Sequence, residues 1–410
     1  MTILNLSALD YGGAGKFAVD FNDFLRQSGY ESNLVVMDKK TDSPNVVQYV
    51  GSRLSKPFSK LARKAAKSKW EYVTFDYDYY FYNIYERYST ISAKKILEAI
   101  PKKPDVIFMH WVTDFINAQL MNELHRLTGA KMYWLMIDNA PITGGCHYPW
   151  SCEGYKTDCS TCLAISSPTD QWLARENLKL KIQYLPATLG VMAFSNSDYE
   201  RARQSRLFND KPIAKLLGYV NEDKFVPGDK VVAKKFFGLP TDHKVIFFGA
   251  TSLKERRKGM QFLLNALNAL QFDNVTLLVA GNSPVNFEGK NIKLAGHLNE
   301  ADLIKAYQAA DLFVCPSIED SGPIMVNQSI MCGTPVAAFN TGVAQDLVIT
   351  GKTGYRAEIS DFDDLAKGIH YLIQMNDDCY VKMAQNCRDM AVSLYGRRSF
   401  QQQIEQLIVA

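Results

Sequence analysis

At 410 residues the chain exceeds one ordinary core and suits two domains of about 200 residues each. Hydrophobic residues make up 47% and charged residues 22%, a globular composition that sets aside collagen-like, disordered and membrane-spanning classes. The formal net charge of +3 is nearly neutral and argues against a nucleic-acid partner. MTILNLSALDY lacks the charged start and long apolar core of a secretory signal, so a cytoplasmic location is expected.

TILNLSA (2–8) reads as a strand, DYGGAGK as the loop that follows, and the next stretch as a helix with Phe17, Phe21, Phe24 and Leu25 on one face. Gly12 and Gly13 open a run, Gly12-Gly13-Ala14-Gly15-Lys16, that lets backbone approach a ligand closely. It is neither a G-x-G-x-x-G fingerprint nor a Walker loop, because Phe17 stands where Ser or Thr is required. A tight strand-to-helix turn is the plainer alternative. Residues 53–70 carry seven Lys or Arg and no acid, with Leu54, Phe58, Leu61 and Ala65 on one helical face. That pattern suits peripheral contact with an anionic membrane, or simply a solvated helix. The Tyr- and Phe-rich stretch 72–88 either lines a groove or completes the first core.

SNLVVM (32–37), DVIFMH (105–110), KMYWLM (131–136) and GVMAFS (190–195) are further strands separated by helical stretches, an alternation that implies a parallel sheet. His110 and Asp138 follow two of these strands, at the carboxyl ends where α/β proteins place catalytic groups. Cys146, Cys152, Cys159 and Cys162 fall within seventeen residues of a Gly-, Tyr- and Pro-rich loop. Four thiolates so spaced suit a tetrahedral structural zinc, with an iron–sulfur cluster or a redox dithiol as alternatives. Cys315, Cys332, Cys379 and Cys387 lie in apolar patterns and read as small buried side chains.

Around Val226 to Leu239 the text turns to Pro, Gly and Lys, a domain boundary. A second series follows: KVIFFGA (244–250), VTLLVAG (275–281), IKLAG (292–296), LFVCPS (312–317) and VAAFN (336–340). Met260, Leu263, Leu264, Leu267 and Leu270 form a core stripe on the helix after Lys258, and the tail from Asp361 is helical. Arg257 and Lys258, at the carboxyl end of a strand, can neutralise a departing diphosphate. Asp320 opens the small-residue turn Ser321-Gly322-Pro323 ahead of a helix from Ile324 to Met331, which Gly333-Thr334-Pro335 ends. Such a helix N-terminus presents backbone N–H groups to phosphates or hydroxylated ligands. Glu319 is a neighbouring acid expected to face solvent.

Pro316, Ser317, Asp320, Cys332, Gly333, Thr334, Pro335 and Val336 fall in register with the signature of retaining glycosyltransferases of family four, and the chain resembles that family. Two positions depart: the first acid is Asp320 rather than Glu, and Gln328 stands where a second acid is usual, eight residues on. The TGGCHY run with its cysteine cluster resembles bacterial surface-polysaccharide enzymes in particular.

The resemblance implies an α/β GT-B fold, with two Rossmann-like domains facing a central cleft. Residues 1–226 would form the acceptor-side domain, with a Cys-rich insertion at about 143–165. Residues 227–394 would bind the nucleotide sugar, and 395–410 would return as a helix to the first domain. It implies a UDP- or GDP-sugar donor, a glycan or lipid-linked oligosaccharide acceptor, and catalysis without a metal. Asp320 would contact the donor sugar, Gln328 the ribose, Lys258 and Arg257 the diphosphate, and Gly12 and Gly13 would lie near the donor. The family's acceptor-side His-Asp pair is replaced by Ile137-Asp138, which leaves His110 as the candidate histidine. Gln328 and the missing pair also suit a catalytically silent sugar-nucleotide-binding partner of an active transferase. A nicotinamide oxidoreductase is set aside for want of a dinucleotide fingerprint.

Overall fold

The computed structural model describes residues 1–51, 73–82, 86–270, 272–281, 291–322 and 324–409. The basic stretch 53–70 and Pro323 therefore lie outside the described residues. Two compact units are present: 1–194 with 198–215 and 405–410, and 195–197 with 216–404.

The first unit is built on seven parallel strands: β1 (Thr2–Leu9), β2 (Glu31–Asp38), β3 (Val46–Gln48), β4 (Val106–Met109), β5 (Lys131–Met136), β6 (Gly190–Ala193) and β7 (Ile213–Lys215). Their order is β3-β2-β1-β4-β5-β6-β7. The connecting helices are α1 (Gly12–Gln27), α2 (Ala93–Glu98), α3 (Ala118–Thr128), α4 (Trp172–Tyr184) and α5 (Asn196–Gln204). One sheet face is apolar, with Leu4, Leu6, Ile107, Met109 and Trp134 in the main core. The face under α1 holds a buried polar knot instead. Asn5 Nδ2 donates to Asn22 Oδ1 at 3.2 Å and to Ser32 Oγ at 2.9 Å, and Ser32 Oγ donates to Asn22 Oδ1 at 2.8 Å.

The second unit carries α6 (Lys230–Phe236), β8 (Lys244–Gly249), α7 (Met260–Asn268), β9 (Val275–Ala280), β10 (Ile292–Gly296), α8 (Glu300–Ala309), β11 (Leu312–Cys315), α9 (Ile324–Met331), β12 (Val336–Phe339), α10 (Ala344–Leu347) and β13 (Gly354–Ala357). Three helices end the chain: α11 (Phe362–Ile373), α12 (Asp377–Tyr395) and α13 (Arg397–Val409). The strand order is β10-β9-β8-β11-β12-β13, again parallel. Its strands show why a doubly covered sheet reads as an unbroken apolar run. Val245, Phe247, Phe313 and Cys315 point into one core, and Ile246, Phe248, Leu312 and Val314 into the other. Burying each Phe contributes roughly 1.5–3 kcal/mol.

Three strands escape the sequence reading: β3 and β7 have only three residues each, and β13, GYRA, is half polar. All three are outermost in their sheets, where one side needs no apolar cover. Two further expectations need correction. The glycine run is not a loop, because α1 already begins at Gly12, where φ is +68°. The residue that requires glycine is Gly15, whose Cβ would stand 2.7 Å from the Asp10 carbonyl carbon. Cys379 is exposed rather than buried, because it sits in the polar first turn of α12 between the Asn376 cap and solvent. The last residues of α13 belong to the first unit: Tyr133 Oη donates to Leu407 O at 2.8 Å, and Lys131 Nζ to Ile408 O at 3.2 Å.

Candidate functional site

Both sheets reverse strand order at one point, between β1 and β4 in the first unit and between β8 and β11 in the second. In open α/β sheets ligands bind at the carboxyl ends of the strands beside such a switch. The sequence places its candidate residues at both.

In the second unit the loop after β8 meets the loop after β11. Asp320 is buried, and its Oδ2 accepts hydrogen bonds from Lys258 Nζ at 2.5 Å and Arg257 Nη1 at 3.0 Å. Burial alone would raise this carboxyl, but the Lys258 and Arg257 charges hold it below its ordinary value. Arg257 Nη2 also reaches Glu255 Oε2 at 3.0 Å. Backbone locks the two loops together: Ile318 N donates to Arg257 O at 2.9 Å. Gly259 has φ +70°, and a Cβ there would lie 1.8 Å from Pro316 O. The Lys-Gly pair is thus a charge followed by the only residue that lets the loops touch.

Ser321 is buried beside Asp320, and Gly322 leads to α9. Gln328 lies one turn into α9, where its Oε1 accepts from Tyr307 Oη at 3.0 Å, leaving the amide NH2 as donor. Tyr307 is fully buried, so this bond fixes how the amide faces. Glu319, expected to face solvent, is 4% exposed, because the loop is drawn inward by the Ile318–Arg257 bond.

In the first unit His110 follows β4 and is 1% exposed. Burial pushes its imidazole down to about 3, so it is neutral at ordinary pH. Its Nε2 lies 3.0 Å from Asn5 Oδ1. It borders a cavity of about 250 Å³ at the carboxyl ends of β4 and β5, which Trp111, Trp134 and Asp138 also line. Asp138 is held at both oxygens: Oδ1 accepts from Ala140 N at 2.8 Å, and Oδ2 lies 2.6 Å from His147 Nδ1. His147 is buried too, with Nε2 at 3.4 Å from Thr113 Oγ1. Sequence reasoning missed His147, because it sought the histidine next to the acid. The pair is assembled in space across nine residues, and the only sequence signal was a His inside the TGGCHY run that follows Asp138. Gly12 and Gly13 stand exposed at the start of α1, with open space around them.

Cys146, Cys152, Cys159 and Cys162 do converge, lining one cavity of about 10 Å³ with Phe81 and Tyr155. All four are free, and burial pushes Cys159 up to about 12 and Cys162 up to about 11. Among the described residues, however, no group of three or more His, Cys, Asp or Glu stands close enough to hold a metal ion. The four-thiolate zinc expected here does not fit this arrangement. Cys146, Cys159 and Cys162 instead fill a corner of the first core, and Cys152 is half-buried at its margin.

Comparison with known proteins places this geometry. Full-length structural likeness extends to Anabaena HepE in complex with UDP-glucose, with TM-score 0.65, 15% identity and 100% of both chains covered. It extends also to WaaG, a glycosyltransferase involved in lipopolysaccharide biosynthesis, with TM-score 0.61, 13% identity and 96% of both chains covered. The fold is GT-B. Residues 242–375, which hold Lys258, Asp320 and Gln328, match the family model "Glycosyl transferases group 1". Among curated proteins, a D-inositol 3-phosphate glycosyltransferase from Mycolicibacterium smegmatis is 31% identical over 165 residues, 37% of either chain. The chain thus spans little more than a third of the length of that relative. Among the described residues no helix is long and apolar enough to cross a membrane.

Proposed function

We propose that this protein is a retaining glycosyltransferase that uses a nucleotide-sugar donor. The observation that carries the reading is the Lys258–Arg257–Asp320 cluster at the switch point of the second sheet, inside the segment that matches group 1 glycosyltransferases. In this reading the second unit holds the donor and the first unit the acceptor.

The bond from the anomeric carbon to the diphosphate oxygen breaks, and the acceptor hydroxyl oxygen bonds to that carbon on the same face. The hydroxyl proton passes to the departing phosphate oxygen. Negative charge therefore grows on the leaving diphosphate, where Lys258 and Arg257 lower the barrier as preorganised donors. Asp320 holds both cations in place before the donor arrives and meets the sugar hydroxyls. The Gln328 amide, turned by Tyr307, donates to the ribose. A role in building a bacterial surface glycan is supported by the likeness to WaaG.

A thermal-shift screen of UDP-, GDP- and ADP-sugars tests the reading, followed by nucleotide release with and without a glycan acceptor. At least one donor should raise the melting temperature in the wild type and less so in Lys258→Met. NMR of the product should show the donor's anomeric configuration retained. No stabilisation by any donor, or inversion in the product, would sink the proposal.

A further inference from the structure

The aromatic stretch 73–82 faces two ways within the first unit. Phe81 belongs to the main core, and Phe75 packs against that core and stacks on Phe81 at 5.1 Å. Tyr77 and Tyr82 turn out instead, with 90% and 45% of their surface exposed. Backbone bonds clamp the stretch to the TGGCHY loop: Tyr82 N donates to Gly145 O at 3.2 Å, and His147 N to Tyr79 O at 3.0 Å. Trp150 Nε1 adds a bond to Asp78 O at 2.9 Å.

Two aromatic residues in this clamp hold a left-handed backbone, Tyr80 at φ +47° and Trp150 at φ +54°. Bulky side chains rarely adopt that conformation, and where they do the surrounding structure imposes it. Here it accompanies a continuous line of rings. From Trp111, on the wall of the cavity, the line runs to His147 at 5.9 Å and on to Tyr82 at 5.3 Å, centroid to centroid. It continues from Tyr82 to Tyr80 at 5.8 Å and from Tyr80 to Tyr148 at 5.4 Å. His147 is buried, whereas Tyr82 is exposed and Tyr80 and Tyr148 are half-buried.

The chemistry of the line selects its occupant. Each tyrosine offers an apolar ring face and a polar hydroxyl edge, which match the C–H face and hydroxyl rim of a sugar. Residues 73–82 and 143–150 carry Asp76 and Asp78 but no Lys or Arg. A phosphorylated chain or an anionic bilayer would find no cation in these segments, whereas sugar hydroxyls find carboxylates and phenols. We propose that Tyr82, Tyr80 and Tyr148 form a stacking platform for the inner sugars of a neutral oligosaccharide acceptor. This rests on the transferase reading and adds to it the acceptor's class, a preformed chain of uncharged sugars rather than a single ring. Stacking at a distance from the reacting hydroxyl supplies binding that a monosaccharide cannot.

The test uses the full chain without donor. Binding of cellotetraose, maltotetraose, laminaritetraose, mannotetraose, xylotetraose and chitotetraose is followed by saturation-transfer NMR, with the matching monosaccharides alongside. At least one tetrasaccharide should bind, and its monosaccharide at least about tenfold more weakly. Tyr82→Ala should weaken that tetrasaccharide about tenfold, whereas Tyr82→Phe and Tyr82→Trp, which keep a ring, should retain most of the affinity. Tyr80→Gly keeps the left-handed turn, removes the ring, and should weaken it likewise. UDP-glucose and GDP-mannose affinities, measured on the same samples, should be unchanged in every variant. No binding by any tetrasaccharide, a monosaccharide bound as tightly, or wild-type affinity in Tyr82→Ala and Tyr80→Gly would each overturn the proposal. So would equal losses in Tyr82→Phe and Tyr82→Ala, or binding to phosphatidylglycerol vesicles that Tyr82→Ala abolishes, which would assign the line to a lipid surface. Failure of every tetrasaccharide with nucleotide-sugar binding intact refutes this inference alone. A wild type that binds a tetrasaccharide but no nucleotide sugar refutes the transferase reading alone.

Discussion

Lys258 Nζ lies 2.5 Å from Asp320 Oδ2, the same carboxylate oxygen that Arg257 reaches. One buried acid therefore sets the position of both cations that the transferase reading assigns to the diphosphate. Asp320→Asn leaves two cations without this acid, and Lys258→Met leaves buried Asp320 to Arg257, so each should destabilise the protein by about 2–4 kcal/mol. The double variant should lose less than the sum. Urea unfolding of the four proteins measures this. Nucleotide affinity should split the singles: Lys258→Met weakens UDP at least about tenfold, whereas Asp320→Asn, which frees two cations, preserves or tightens it. Equal loss of UDP binding in both would refute the division of roles.

Gly259 is the point where two loops meet. Its φ of +70°, and the 1.8 Å that would separate a Cβ from Pro316 O, leave no room for a side chain. Gly259→Ala should cost about 1–3 kcal/mol of backbone strain, and more as the loops part. Because Lys258 would move with the loop, donor affinity should fall alongside the melting temperature. An alanine variant with wild-type donor affinity would show that this contact does not position the cation.

The pH dependence of stability isolates His110. Its folded value of about 3 lies below the unfolded 6.5, so the unfolded chain takes up the proton first. Stability is complete above pH ~6.5 and falls as the pH drops towards 3. Between pH 6.5 and 5 the loss is about 2 kcal/mol at 1.36 kcal/mol per unit. Buried Glu86 runs the other way: burial raises it, against Lys181 and the Ala118 N–H, so acid favours its folded form. The difference between wild type and His110→Phe, by urea unfolding at the two pH values, removes that contribution. A difference independent of pH would contradict the buried neutral imidazole.

Gln328 offers a gain rather than a loss. Tyr307 can donate to a carboxylate as readily as to an amide oxygen, so Gln328→Glu should keep the side chain in place and add a charge-assisted contact to a ribose diol. UDP should bind several-fold tighter by calorimetry, while Tyr307→Phe should weaken it by freeing the amide. Unchanged affinity in both would remove Gln328 from the nucleotide site.

The sequence makes most of this fold readable because a strand covered on both faces is apolar throughout. Ten strands could be found from their apolar runs, Val245 to Phe248 being the plainest. What stayed hidden was set by neighbours in space. The outermost strands β3, β7 and β13 are short or polar, and pairing alone makes them strands. Lys258, Asp320 and Gln328 were legible because one short segment carries the acid and the glutamine in a fixed register. That Asp320 holds the cations, that Tyr307 turns Gln328, and that His147 supplies the partner of Asp138 follow from contacts spanning 62, 21 and 9 residues. Glu319 shows the limit: its burial depends on a backbone bond from Ile318 to Arg257, which no local pattern encodes.

The bonds from Lys131 and Tyr133 to the carbonyls of Ile408 and Leu407 bear on how the chain is made. On the ribosome, residues 216–404 emerge as a complete unit before residues 405–408 exist. The first unit is therefore completed after the second has emerged, its Lys131 and Tyr133 side chains waiting for partners about 275 residues downstream. Premature termination shortly before Leu407 would leave the second unit folded and the first unit without the C-terminal turn that Lys131 and Tyr133 hold, exposed to proteases and chaperones.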